Sequence, residues 1–142
     1  MPLEHRIDHA QRIVLVRCWG EISDTEIFTY QGEVWSRPGV AGYDELVDLT
    51  AVETLQVSSS ARSEDLARVA SAMDQPGGES RFAIVVESGI SLQLAQRYAA
   101  QRSELARGRK VVQLFPRLEP ALAWLGRPAT LMDEAFGAPP GS

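Results

Sequence analysis

The sequence predicts an α/β fold: one domain carrying about five strands in a mostly parallel, mixed sheet, packed with four helices. Three observations predict it. Runs such as Ile13-Val14-Leu15-Val16 and Phe82-Ala83-Ile84-Val85-Val86 are apolar at consecutive positions, as strands covered on both faces are. Segments with helical spacing separate most of these runs, so the connections are single-helix crossovers and the paired strands are parallel. Only the first two strands are joined by a tight turn, Ala10-Gln11, which makes the opening pair an antiparallel hairpin.

Each element has its own signal. Leu3 to His9 alternates weakly and reads as an edge strand, and Arg12 to Trp19 follows as an inner one that Gly20 stops. Ser23-Asp24-Thr25-Glu26 has the pattern of a capping box, in which Ser23 and Glu26 satisfy each other's free amides. Ile27, Tyr30 and Val34 form the stripe of the first helix, flanked by Phe28 and Trp35. Gly32 within it marks a close helix–sheet contact, and Arg37-Pro38-Gly39 ends it. Glu45 to Leu49 is a short strand, and Thr50 to Ser60 a polar connection. Ser63-Glu64-Asp65 opens the second helix with acids at its positive end, and Leu66, Val69, Ala70 and Met73 recur at i, i+3, i+4 and i+7.

Gln75-Pro76-Gly77-Gly78 breaks that helix ahead of the central strand at Phe82 to Val86. Ser88-Gly89 turns into a third helix with Leu94, Ala95, Tyr98 and Leu105 inward, and Gly108 suits the left-handed position past its end. Lys110 to Phe115 is the last strand. Glu119-Pro120-Ala121 starts a short helix, with proline at its first turn, that buries Leu122 and Leu125. The domain is expected to span residues 1–126. Residues 127–142 are rich in Pro, Gly and Ala and read as a partly disordered tail, where Leu131, Met132 and Phe136 could dock locally.

The totals narrow the function classes. At 142 residues the chain is long enough for a real core, and 44% apolar with 23% charged residues is a globular composition. Nineteen acids against 14 bases give a net charge of -5, which repels phosphate backbones and argues against nucleic-acid binding. Lys110 is the one lysine. The single cysteine, Cys18, excludes an internal disulfide and a multi-thiolate zinc site; in an apolar run it reads as a small buried hydrophobe. The N-terminus lacks the apolar core of a signal peptide, and no run reaches the roughly 20 apolar residues of a membrane span. A cytoplasmic location is the expectation.

Several of these residues also carry a resemblance. Asp48-Leu49-Thr50 with Val52 closing a strand, a serine-bearing loop before a helix, and Phe115 followed by Glu119-Pro120-Ala121-Leu122-Ala123-Trp124-Leu125 resemble the SpoIIAA-like family. That family is related to STAS domains (sulfate transporter and anti-sigma-factor antagonist) and is also labelled STAS/Sec14-like. The resemblance spans roughly residues 3 to 126 and implies a sheet of about five strands with helices packed on it. Anti-sigma antagonists of the wider superfamily carry an Asp-Ser-Ser-Gly motif whose second serine is phosphorylated. A gapless match from Asp48 sets Gln56-Val57-Ser58-Ser59 against it, so only Ser58 keeps its type.

Candidate sites follow. Ser58, Ser59 and Ser60 stand just before a helix, where free amides suit an anion or a phosphoserine; capping and turn formation are the plainer use of such serines. In open α/β sheets ligands bind beyond the carboxyl ends of the strands, and that rim would hold Thr50, Glu53, Ser88, Gly89 and Arg117. Neither a Walker motif nor a GxGxxG fingerprint occurs, so no cofactor is implied. His5 and His9, four apart on a strand, lie about 13 Å from each other, too far to share a metal. No Gly-x-Ser-x-Gly elbow is present; Asp48 reads as a loop-bonding acid, and the acidic pairs Asp44-Glu45 and Glu64-Asp65 as solvated or helix-terminal. Arg97, Arg102, Arg107, Arg109 and Lys110 read as cations stabilising a helix end, and Trp19, Trp35 and Trp124 as core or interface anchors.

Without catalytic or metal-ligating machinery, the expected role is a non-enzymatic module that binds a protein partner or self-associates as a homodimer. The alternative is a carrier or sensor of a small apolar or lipid-like ligand, held between helices and sheet. A large dry pocket would favour the latter.

Overall fold

The computed structural model describes residues 2–56, 60–72, 79–87, 89–106 and 110–137, with side chains described for all of these but 60, 61, 63, 90, 91 and 103–106. The strands are β1 (Leu3–Asp8), β2 (Ile13–Ser23), β3 (Asp44–Gln56), β4 (Ser80–Val85) and β5 (Lys110–Phe115). The helices are α1 (Asp24–Val34), α2 (Ser60–Ala72), α3 (Gly89–Ala106), α4 (Leu118–Trp124) and α5 (Leu131–Phe136). The sheet has five strands in the order β1-β2-β3-β4-β5; β1 and β2 are antiparallel and every later pair is parallel.

Spatial order therefore equals chain order. Each right-handed crossover steps one strand in the same direction, which lays α1, α2 and α3 on one face of the sheet. The packing agrees. Val14, Val16 and Cys18 of β2 bury against Tyr30 and Val34 of α1, and Phe82 and Ile84 of β4 against Ala95 of α3. Their strand neighbours Ile13, Leu15, Ala83 and Val85 point the other way, into a cluster with Leu122 and Leu131 of α4 and α5. A strand with helices on both faces has no solvent side, which is why its sequence is apolar without alternation.

The structure departs from the sequence expectations at five points. Gly20 does not stop β2. It sits at φ 65 between two register shifts, so the strand bulges there and continues to Ser23. The stretch Thr50 to Gln56 is strand, because β3 keeps pairing with β2 as far as Gln56 while its pairing with β4 ends at Asp48. With one neighbour only, this half of β3 keeps polar residues and resembles a loop in sequence. Gly32 makes no close helix–sheet contact: a Cβ there would meet nothing within 4 Å. Ser23 Oγ donates to Glu26 Oε1 at 3.3 Å, and no side chain of the cap reaches a backbone amide. The capping-box pair therefore closes on itself.

The fifth departure is an extra helix. Four helices were expected, but α5 adds another beyond residue 126, with Leu131 and Met132 buried beside Leu122 and Phe115. Phe136 at its end lies under two guanidinium groups, Arg6 at 5.1 Å and Arg17 at 4.8 Å from the ring centroid. Arg17 is itself held by Glu4 at 2.9 Å across the β1–β2 hairpin. These contacts tie the tail back to the first strands.

Candidate functional site

The face under α1, α2 and α3 is not fully packed. Its floor is Val16, Cys18 and Ile22 of β2, Val47 and Leu49 of β3, and Phe82 and Ile84 of β4. Its roof is Ile27 and Tyr30 of α1, Leu66 of α2, and Leu94, Ala95 and Tyr98 of α3. Between them is a partly open cavity of ≈ 100 Å³. The walls are almost wholly apolar. Ala95 faces the sheet with a single methyl group where a larger residue would close the gap, and Cys18 contributes a thiol that burial pushes up to about 12, so it is held neutral.

One end of the cavity is polar. Tyr30 donates its hydroxyl to Glu45 Oε2 at 2.7 Å and accepts from Trp35 Nε1 at 2.9 Å. Burial first, and then the Glu45 charge beside it, raises the Tyr30 pKa well above its ordinary value. On the other oxygen of Glu45, Lys110 Nζ lies at 3.4 Å, and the same ammonium sits 3.9 Å from the Trp35 ring centroid. Glu45 and Lys110 are 6% and 5% exposed, so two opposite charges are matched away from water. A second, smaller cavity of ≈ 20 Å³ adjoins them, bordered by Gln31, Trp35, Tyr98 and Arg102. Arg102 is 1% exposed and reaches Ser71 Oγ at 3.4 Å.

Gln31 lines both cavities. It is buried at 5% exposure on α1, and its Nε2 donates to the Leu66 carbonyl of α2 at 3.4 Å. Its Oε1 is buried and, among the described residues, receives no hydrogen bond. The cavity is thus an apolar slot whose lining includes one residue, Gln31, with a buried acceptor that no described residue meets, next to the network of Tyr30, Glu45, Trp35 and Lys110.

Both Glu45 and Lys110 stand at the amino ends of their strands. The rim proposed from sequence lies at the other ends. Thr50 and Glu53 are exposed on the extension of β3, Gly89 opens α3 at φ 79, and Arg117 is the exposed N-cap residue of α4. None of the four lines either cavity. Ser58, Ser59 and Ser88 lie outside the described residues; Ser60 is the first residue of α2, its side chain outside them too. Asp48 bonds locally: Oδ1 accepts from the Thr50 amide at 2.9 Å and the Thr50 hydroxyl at 2.7 Å. His9 Nδ1 is 2.9 Å from the Tyr43 hydroxyl.

Sequence reasoning missed Gln31 and took Glu45, Arg102 and Lys110 for solvated or helix-end charges. A usable signal existed. Glu45 and Lys110 each begin an apolar strand, and opposite charges at the same end of a buried sheet are positioned to pair.

With that geometry in hand, the comparisons with known proteins place the chain by fold. No family model matches it, and no curated protein does. Among solved structures it is similar to an uncharacterised protein from Shewanella loihica PV-4, of the DUF3478 family, described as having a SpoIIAA-like fold. The TM-score is 0.53 at 14% identity, covering 87% of this chain and 93% of that one. The molecule is an α/β protein with a SpoIIAA-like fold, whose helix-covered face contains an apolar cavity. Among the described residues, no helix is long and apolar enough to cross a membrane.

Proposed function

We propose that this chain is a binding module for a small apolar molecule, held between the sheet and helices α1, α2 and α3. One observation carries the reading. A core as closely packed as protein interiors normally are has few voids larger than a water, whereas here ≈ 100 Å³ stands open among apolar walls. A preformed apolar slot of this kind gains from apolar occupants by removing their surface from water. The wall is almost wholly carbon, with the neutral thiol of Cys18 and, at its polar end, the side chains of Tyr30, Gln31 and Glu45.

Native mass spectrometry of protein purified gently from its own cells tests the proposal. Excess mass that is lost on denaturation is the expected result. A bare chain that also takes up no apolar molecule on incubation would overturn it. The same spectrum addresses the alternative module, which binds a protein partner and is switched at Ser58, Ser59 or Ser60: a covalent phosphoryl increment mapping to those serines would favour that reading instead.

A further inference from the structure

We infer that the cavity selects an uncharged amphiphile bearing one hydrogen-bond donor, a hydroxyl or an amide N–H, which is received by Gln31 Oε1. This rests on the cavity's being a ligand site and adds what kind of ligand it takes. The orientation of the Gln31 amide follows from its partner. The Leu66 carbonyl can only accept, so the nitrogen must face it, and the oxygen is left over. That oxygen is buried and no described residue donates to it. An acceptor removed from water without a replacement donor is costly, and a ligand that supplies the donor recovers that cost on binding.

The neighbouring groups decide the charge of the ligand. Tyr30 both donates, to Glu45 Oε2, and accepts, from Trp35 Nε1. Glu45 Oε1 faces the Lys110 ammonium at 3.4 Å. A carboxylate entering the slot would meet Gln31 Oε1 and the Glu45 charge while offering no proton to either. An ammonium would shed its water among apolar walls, and Glu45, whose charge Lys110 already matches at 3.4 Å, would repay little of that cost. A neutral donor avoids both penalties. Size follows from the volume: at about 10–15 Å³ of such space per water, ≈ 100 Å³ accommodates the equivalent of about seven to ten waters, and so a ligand of roughly that many heavy atoms.

Isothermal titration of the full chain at neutral pH with three probes of nearly equal size tests this. The probes are 1-octanol, which donates; 1-methoxyheptane, which only accepts; and octanoate, which is charged. The expected result is that 1-octanol binds at least tenfold more tightly than either of the others. In Gln31→Met, which keeps the length but lacks the acceptor, 1-octanol and the ether should bind within about twofold of each other. Equal binding of alcohol and ether by the natural chain would overturn the inference while leaving the ligand site intact, and would mean that a water in the adjoining ≈ 20 Å³ cavity already serves Oε1. A preference that survives in Gln31→Met also overturns it. Failure of all three to bind would remove the ligand site itself and the inference with it. The comparison within the natural chain decides the matter even if the variant does not fold.

Discussion

Tyr30 donates its hydroxyl to Oε2 of Glu45 across 2.7 Å, joining the first helix to the start of the third strand. The Tyr30 hydroxyl oxygen also accepts from Trp35 Nε1 at 2.9 Å, so one hydroxyl satisfies an indole and a buried carboxylate together. Tyr30→Phe removes both bonds while keeping the ring. It should cost about 2–4 kcal/mol, since each buried polar group left unmet costs roughly 1–3 kcal/mol. Urea unfolding of the two proteins measures this, and a loss below about 1 kcal/mol would show that other groups replace the hydroxyl.

Alkaline pH should weaken the fold in two stages. Burial raises the Cys18 thiol from 9.0 to about 12, and Tyr30 rises well above its ordinary 10.0. A raised folded-state value means that the unfolded chain releases its proton first. The stabilisation is complete below the unfolded value and is lost as pH climbs toward the folded one. Loss should begin near pH 9 through Cys18 and steepen above pH 10 as Tyr30 joins it. Cys18→Ala should flatten the pH 9 to 10 segment and leave the steeper part in place. An unchanged slope in that segment would assign the transition to another group.

Ala95→Leu should close the cavity. Ala95 is 5% exposed and lines the slot from α3, so the added carbons enter empty space instead of a packed core. Filling a void stabilises when the new side chain fits, and the melting temperature should hold or rise by a few degrees. Binding of 1-octanol should weaken at least tenfold. Retained affinity with unchanged stability would place the ligand elsewhere.

Phe136→Ala tests how the tail is held. The ring receives Arg6 and Arg17 on its faces, and Arg17 Nη2 also donates to the Phe136 carbonyl at 3.3 Å. Losing the ring should cost about 1–3 kcal/mol, from two exposed-to-buried cation–π contacts and its share of apolar burial. Amide exchange across residues 131–136 should accelerate before that of β2 does. Uniform acceleration would mean that α5 unfolds only with the whole domain.

Much of the fold was legible in the sequence because local chemistry dictates it. Consecutive apolar residues at 13–16 and 82–86 mark strands covered on both faces, and the structure has them so. The rim followed the general rule for open sheets, which directs attention beyond the carboxyl ends of the strands, and the serine loop followed from hydroxyls standing before a helix. This sheet never reverses, and the described rim residues Thr50, Glu53, Gly89 and Arg117 line neither cavity. The polar end of the cavity was illegible for a different reason. Glu45 and Lys110 are 65 residues apart and on strands separated by β4; only the parallel register brings their amino ends level. Arg102 and Gln31 look like surface residues until the helix packing buries them. Gly20 and the second half of β3 were misread because bulging and one-sided pairing both imitate loops.

The same monotonic winding has a consequence for how the protein is made. Among the described residues, the face carrying Ile13, Leu15 and Leu46 is covered by α4 and α5, from residues 118–136. Synthesis proceeds from the amino terminus, so the sheet and its three crossover helices emerge before that cover exists. Until then, that face of the sheet lacks the residues that cover it in the folded protein. The residues that line the apolar cavity, by contrast, all precede the end of α3, so that side of the sheet lacks only Lys110 at its polar end while the other side is still bare.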